Sequence, residues 1–353
     1  MRKQRAVRAQ GRRVTLAEVA ARSGVSTITV SRALREPARV SADTLARVRR
    51  AIAQLGYVEN RVASGLASGS SRIVPVLIPT LTHAVYVPFL RGVHAELDEH
   101  GYQVLLATTE YERETEAQLV ETLLGWFPAG LLLAGVDHTP AARQRLVQAV
   151  AQGIAVVEFM DLAPTPIDLN VGLSHAAVGA AVAEHLVAKG LEHVAYAGTL
   201  AARDTRSARR AQGFREALEA RGLPHYELRL ERPFSIGLGG TLTDTLLDRH
   251  PRLQAIFFAN DDLAAGGLFA AQRRRLRIPD ELALVGFNDL EIASVVHPSL
   301  TSVAVDQEAM GRTAARLLLA RLRGEDVPAE PVDVGFRIVE RDSTRGLPRQ
   351  GLS

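Results

Sequence analysis

Val14–Leu34 reads VTLAEVAARSGVSTITVSRAL, and its punctuation predicts two short helices joined by a glycine turn. Thr15 is placed to cap a helix beginning at Leu16, and Glu18, three residues on, is placed to reach back to the cap. Leu16, Val19 and Ala20 then share one face, Gly24 supplies a left-handed turn, and Ser26 caps a second helix running through Leu34. A third helix is expected from Ser41 as cap to Gly56 as stop, with Leu45, Val48, Ile52 and Leu55 on one side. Residues 14–58 therefore form a three-helix head built on a helix-turn-helix.

The second helix sets Ser26, Thr27, Thr29, Ser31 and Arg32 around an apolar stripe of Val30 and Leu34. Small hydroxyls let a helix approach DNA closely and bond phosphates, and an arginine can hold guanine O6 and N7 together. The same pattern also fits a capped hairpin with a solvated face. Charge separates the two readings. Residues 1–72 hold 15 Lys or Arg against 4 Asp or Glu, a net of +11, while residues 73–353 hold 27 against 35, a net of −8. A basic head on an acidic body points to nucleic acid. Arg2, Lys3, Arg5, Arg8, Arg12 and Arg13 make residues 1–13 a basic arm, expected to be disordered without DNA, with a disordered solubilising tail as the other reading. Residues 59–71 combine a possible turn or two of helix with a Gly/Ser linker.

The 353 residues, 47% of them hydrophobic, allow a two-lobed body beside the head. The sequence has no cysteine, so it offers neither disulfides nor thiolate metal sites. It has no apolar run of about 18 residues and no signal-peptide core, and the protein is expected in the cytoplasm without a membrane partner. From Arg72, apolar runs alternate with helical patterns as in parallel α/β sheets. Strands are expected at 73–79, 103–109, 130–134 and 155–159, then at 194–198, 227–230, 255–259 and 282–286. Two such lobes enclose a cleft at the carboxyl ends of their strands. His83, Glu158, Asp161, Asn260, Asp261, Asn288 and Asp289 fall there, with Arg209 and Arg210 at a helix start. Such a set suits a hydroxylated acid or sugar. Asn260 is expected to touch ligand, Asp262 to cap the next helix, and Gly237–Gly240 to be a loop. No catalytic constellation, metal-ligand spacing or cofactor fingerprint stands out.

Over nearly its full length the chain resembles the LacI family of bacterial transcription regulators. The resemblance rests on the head motif, the hinge NRVASGLASGSS, ANDDLAAGGLFAA, and LALVGFND followed by HPSLTSV. It implies a small all-α helix-turn-helix head plus an α/β two-lobed periplasmic-binding-protein-like body. Within the family it is most similar to gluconate-utilisation repressors, through LIPTLTHAVYVPFLRGV, HGYQVLLA, HTPAAR and VVEFMD. The resemblance implies operator DNA, a sugar-acid effector such as gluconate, and a second copy of the chain as partners. It places Thr27, Ile28 and Arg32 at bases, with Thr15, Ser26, Thr29 and Ser31 completing the DNA face. Asn60 to Leu66 become a hinge helix, with Leu66 wedged in the minor groove; Glu59 stands where the family commonly has proline. In the pocket it places Asp161, Arg210, Asn260 and Asn288, with His83 and Tyr86 beside them and the effector's carboxylate on Arg210. Residues 72–341 become the effector-binding and dimerisation region. Residues 342–353 form a polar tail without a leucine heptad, so a homodimer is expected. A cytoplasmic sugar-acid receptor or enzyme with an incidental basic head is the rival reading.

Overall fold

The structure is a computed structural model and describes residues 14–58, 71–199, 203–327 and 330–346. These fall into two compact units that divide between Ser71 and Arg72.

The first unit is helical, with α1 at Leu16–Ser23, α2 at Thr27–Arg35 and α3 at Ala42–Leu55. Each start carries its cap. The Thr15 hydroxyl accepts from the Glu18 amide, and Glu18 accepts from the Thr15 amide at 2.8 Å. Ser26 and Ser41 accept from the amides of Thr29 and Thr44. Gly24 and Gly56 end α1 and α3 at φ +65° and +62°, where a side chain would be strained. Val19, Ala20, Val30, Ala33, Val48 and Ala51 close a small core. Arg47 adds a clamp not apparent from the pattern: its Nη2 donates to the carbonyls of Ser23 and Gly24 at 2.7 and 3.0 Å, tying α3 to the turn.

The second unit holds two six-stranded sheets. The strands are β1 Ile73–Ile78, β2 Gln103–Thr108, β3 Gly130–Ala134, β4 Ala155–Phe159, β5 Leu169–Gly172, β6 Val194–Thr199, β7 His225–Leu230, β8 Ala255–Phe258, β9 Ala283–Asn288, β10 Thr301–Ala304, β11 Val332–Asp333 and β12 Arg337–Val339. Their orders are β11-β5-β4-β3-β1-β2 and β12-β10-β9-β8-β6-β7. Every pairing is parallel except β10 with β12. Central strands are buried on both faces, as continuous apolar runs in a covered parallel sheet require. The helices are α4 Tyr86–Glu99, α5 Arg113–Leu124, α6 Pro140–Ala151, α7 His175–Val187, α8 Thr205–Glu219, α9 Ile236–Arg249, α10 Asp261–Arg273, α11 Glu291–Val295 and α12 Gln307–Leu322.

Three features depart from the sequence reading. After β10 the chain returns to the first lobe, where α12 packs on α4 and on β4 and β5, and β11 extends the first sheet before β12 rejoins the second. Gly237–Gly240 is not a loop but the first turns of α9; the cluster is there because α10 passes too close for side chains, and a Cβ on Gly239 would meet the Leu263 carbonyl at 2.0 Å. The body also continues past Arg341: Ser343 and Thr344 are fully buried, and the Ser343 hydroxyl donates to the Leu284 carbonyl at 2.6 Å. No helix among the described residues is long and apolar enough to cross a membrane.

Candidate DNA-binding face and effector cleft

In the head, α2 buries Val30 and Ala33 and turns its other face outward. Thr27 and Arg32 are exposed, Thr29 and Ser31 half-buried, and Ile28 is 70% exposed. An apolar side chain at such exposure can contact a thymine methyl. The hydroxyls of Thr15, Ser26 and Thr29 serve the caps, with Ser26 Oγ 2.9 Å from Thr29 Oγ1. Thr27, Ile28, Ser31 and Arg32 line one concave surface. Asn60 and Leu66 lie outside the described residues.

In the body, a cleft lies between the lobes, and His83, Tyr86, Arg210, Asn260 and Asn288 line it. Five of the seven expected pocket residues therefore converge. Helix α8 supplies much of the polar wall because Asp204 caps it, accepting from the Ser207 amide at 3.1 Å, and so aims its first turns at the opening. Arg210, 4% exposed, donates from Nη1 to His175 Nδ1 at 2.9 Å and from Nη2 to the Ala259 carbonyl at 3.0 Å, and its guanidinium lies 4.1 Å over the Phe287 ring. Asn260 performs the role expected of Asp262: its Oδ1 caps α10 by accepting from the Leu263 amide at 2.9 Å, while the residue still lines the cleft. Asn288 is held at φ +103° at the end of β9, a conformation asparagine tolerates better than most residues. His83 Nδ1 lies 3.1 Å from the Tyr111 hydroxyl and its ring packs edge-on against Phe234. Burial pushes the His83 pKa down to about 4, and burial and then Arg210 hold His175 well below the usual imidazole range. Both are neutral at physiological pH.

The remaining two expected residues do not line this cleft. Glu158 points to the other face of its strand, where Oε1 lies 3.1 Å from His138 Nε2 and Oε2 accepts from the Ile167 amide at 2.7 Å. Asp161 is ion-paired with Arg209. Behind the wall, buried Asp261 accepts from the Ser302 hydroxyl at 2.6 Å and the Leu290 amide at 2.7 Å, and Asp289 pairs with Arg341 at 2.7 Å.

Sequence reasoning missed Arg206, Asp204, Tyr111, His175, Phe287 and Gln307, all of which line the cleft. Arg206 was findable, since it sits one helical turn before Arg210 on the same face of α8. The start of α8 also bridges the lobes. Arg203 pairs with Glu112 at 2.6 Å, Thr205 donates to Asp137 at 2.6 Å, Arg206 donates to the Tyr86 hydroxyl at 3.1 Å, and Arg209 holds Asp137 at 2.8 Å.

The arrangement matches known proteins along its length. The pattern of the bacterial regulatory proteins of the lacI family matches residues 15–60, and that of a periplasmic binding protein-like domain matches residues 183–344. The HTH-type transcriptional regulator GntR of Pseudomonas aeruginosa is 43% identical over 335 residues, covering 94% of this chain and 96% of its own length. A LacI-family transcriptional regulator from Silicibacter pomeroyi has a crystal structure similar at a TM-score of 0.88 and 33% identity, over 94% of this chain and 99% of that one. The lac repressor dimer bound to operator and the anti-inducer ONPF is similar at a TM-score of 0.78 and 26% identity, over 94% of this chain and 99% of that one. With its head, two-lobed body and full-length relatives, the chain belongs to the LacI family of bacterial regulatory proteins.

Proposed function

We propose that the protein is a transcriptional repressor that binds operator DNA as a homodimer in the cytoplasm and releases it when a monoanionic sugar acid, gluconate or a close relative, enters the cleft. The head supplies a DNA face in which Thr27, Ile28 and Arg32 read bases and neighbouring hydroxyls meet phosphates. The dimer follows the lac repressor, which binds its operator in that form.

The observation that carries the effector class is the charge of the cleft. Among its described lining residues Arg206 and Arg210 are cationic, Asp204 is the single carboxylate, and His83 and His175 are neutral through burial. That leaves one positive charge among largely buried side chains, which a single carboxylate neutralises. Amides and hydroxyls of Asn260, Asn288, Tyr86 and Gln307 remain for the hydroxyl groups of the ligand. The likeness to gluconate-utilisation repressors selects gluconate within that class.

Calorimetric titration of the full chain with gluconate and with gluconamide, its neutral isostere, tests the reading. Gluconate should bind at least about 30-fold more tightly, the lower end of what a buried charge pair is worth when one partner is lost. Equal affinities, or no binding of either, would remove the sugar acid from the account.

A further inference from the structure

Arg206 stands apart from its charged neighbours. Arg203 and Arg209, on either side of it, are each paired with carboxylates, whereas Arg206 has no ion pair among the described residues. The side chain reaches out of the second lobe: Nη2 donates to the Tyr86 hydroxyl at 3.1 Å, and a Cβ built on Gly135 would lie 3.8 Å from Nη1, so the tip of the guanidinium rests against the first lobe. Nη1 is enclosed and lacks a hydrogen-bond partner among the described residues. Arg206 also lines both the cleft and a neighbouring chamber bounded by Gly135 and Asp137, so it forms part of the wall between them.

Arg210 is committed differently. Both of its terminal nitrogens already donate, to His175 and to the Ala259 carbonyl, and Phe287 lies against the face of its guanidinium. Only Nε is without a partner among the described residues. A carboxylate is best held by two parallel N–H groups on one edge of a guanidinium. Counted by hydrogens, Arg210 has spent two of its four Nη hydrogens, one from each nitrogen, whereas Arg206 has spent one, on Tyr86, and keeps both on Nη1.

We propose that Arg206 takes the effector's carboxylate and sets the preference for acids, while Arg210 is a positioning residue that fixes the Ala259–Asn260 turn and the Phe287 ring. The proposal rests on the sugar-acid reading above. A carboxylate on Arg206 would sit where the second lobe's helix α8 meets Tyr86 of the first, so binding would join the two lobes through one ion pair.

The ratio of gluconate to gluconamide affinity in the full chain separates the two arginines. In Arg206→Gln the ratio should fall by about 30-fold or more, towards one. In Arg210→Gln both ligands should weaken together and the ratio should fall by clearly less than in Arg206→Gln, because the residue lends the cleft a charge without holding the carboxylate. A parent ratio near one overturns the sugar-acid reading itself. A parent that prefers the acid, with Arg206→Gln keeping that preference or Arg210→Gln losing it, overturns only the assignment to Arg206. Should Arg206→Gln fail to melt cooperatively, Arg206→Lys carries the test: with the charge kept and the fork lost, its ratio should fall by about tenfold, and a lysine variant with the parent's ratio overturns the assignment.

Discussion

His138 lies between Glu116 and Glu158, with Nδ1 2.6 Å from the first and Nε2 3.1 Å from the second, and its side chain is 1% exposed. Burial pulls its pKa down, but the two glutamates outweigh burial and raise it to about 9. The folded pKa lies above the unfolded value of 6.5, so the stabilisation is whole below pH 6.5 and is lost as the pH rises through about 9. The loss should be on the order of 3 kcal/mol, read by denaturant unfolding at the two ends of that window, and His138→Gln should remove it. The same alkaline slope in parent and variant would contradict the cluster. On the DNA face, Arg32→Ala should cost about 1–3 kcal/mol against the selected operator and far less against random duplex. Equal losses would make Arg32 a phosphate contact. Glu158 lies off the cleft because of where its strand turns its side chains. In a buried strand, successive side chains alternate faces: Phe159 stacks on Phe89 at 4.0 Å, so Glu158 must point the other way, towards α5 and His138. Sequence marks the end of a strand to within a residue or two, and a one-residue change of face separates a cleft acid from a structural one.

Helices in the body pair through glycine. A Cβ on Gly92 would meet the Glu308 carbonyl at 2.2 Å and one on Gly311 the Phe89 carbonyl at 2.1 Å, locking α4 to α12. Gly179 and Gly213 do the same for α7 and α8, each with a virtual Cβ 2.0 Å from a carbonyl of the other helix, and Gly239 and Gly266 for α9 and α10. The helix backbones therefore touch, and no rotamer change can make room for a methyl group. Gly179 faces the carbonyl of Arg210 itself. Gly179→Ala should destabilise the body by about 1–3 kcal/mol or more by overpacking, and it should weaken effector binding as α8 is displaced. A thermal melt and a gluconate titration of one variant check both, and an alanine variant with the parent's melt and affinity would contradict the packing. The sequence pattern exposed the strands and most helices, because apolar runs and caps are local. It did not expose α9's start, where glycines signal a neighbouring backbone as easily as a loop, nor the return of α12 to the first lobe, which its packing on α4, β4 and β5 determines.

Across the whole molecule, charge and connectivity divide the labour. The basic first 72 residues, at +11, contrast with the remainder at −8, so attraction to DNA is concentrated in the head and should weaken steeply with salt. In the body the chain passes between lobes three times, after β5, after β10 and between β11 and β12, which leaves the lobes free to close on a ligand only as hinged pieces. The start of α8 is where that movement would be felt, because it both lines the cleft and holds Glu112, Asp137, Asp161 and Tyr86 of the first lobe. A ligand that binds one arrangement of the lobes better than the other shifts the DNA-binding equilibrium by that difference and no more. In the proposed function that ligand is a monoanionic sugar acid, which controls operator binding. Fluorescence anisotropy of a selected operator duplex held by the full chain, titrated with gluconate and in parallel with gluconamide, measures it directly: gluconate should release the duplex at concentrations where gluconamide does not, and an operator complex indifferent to both, or equally sensitive to both, would contradict it.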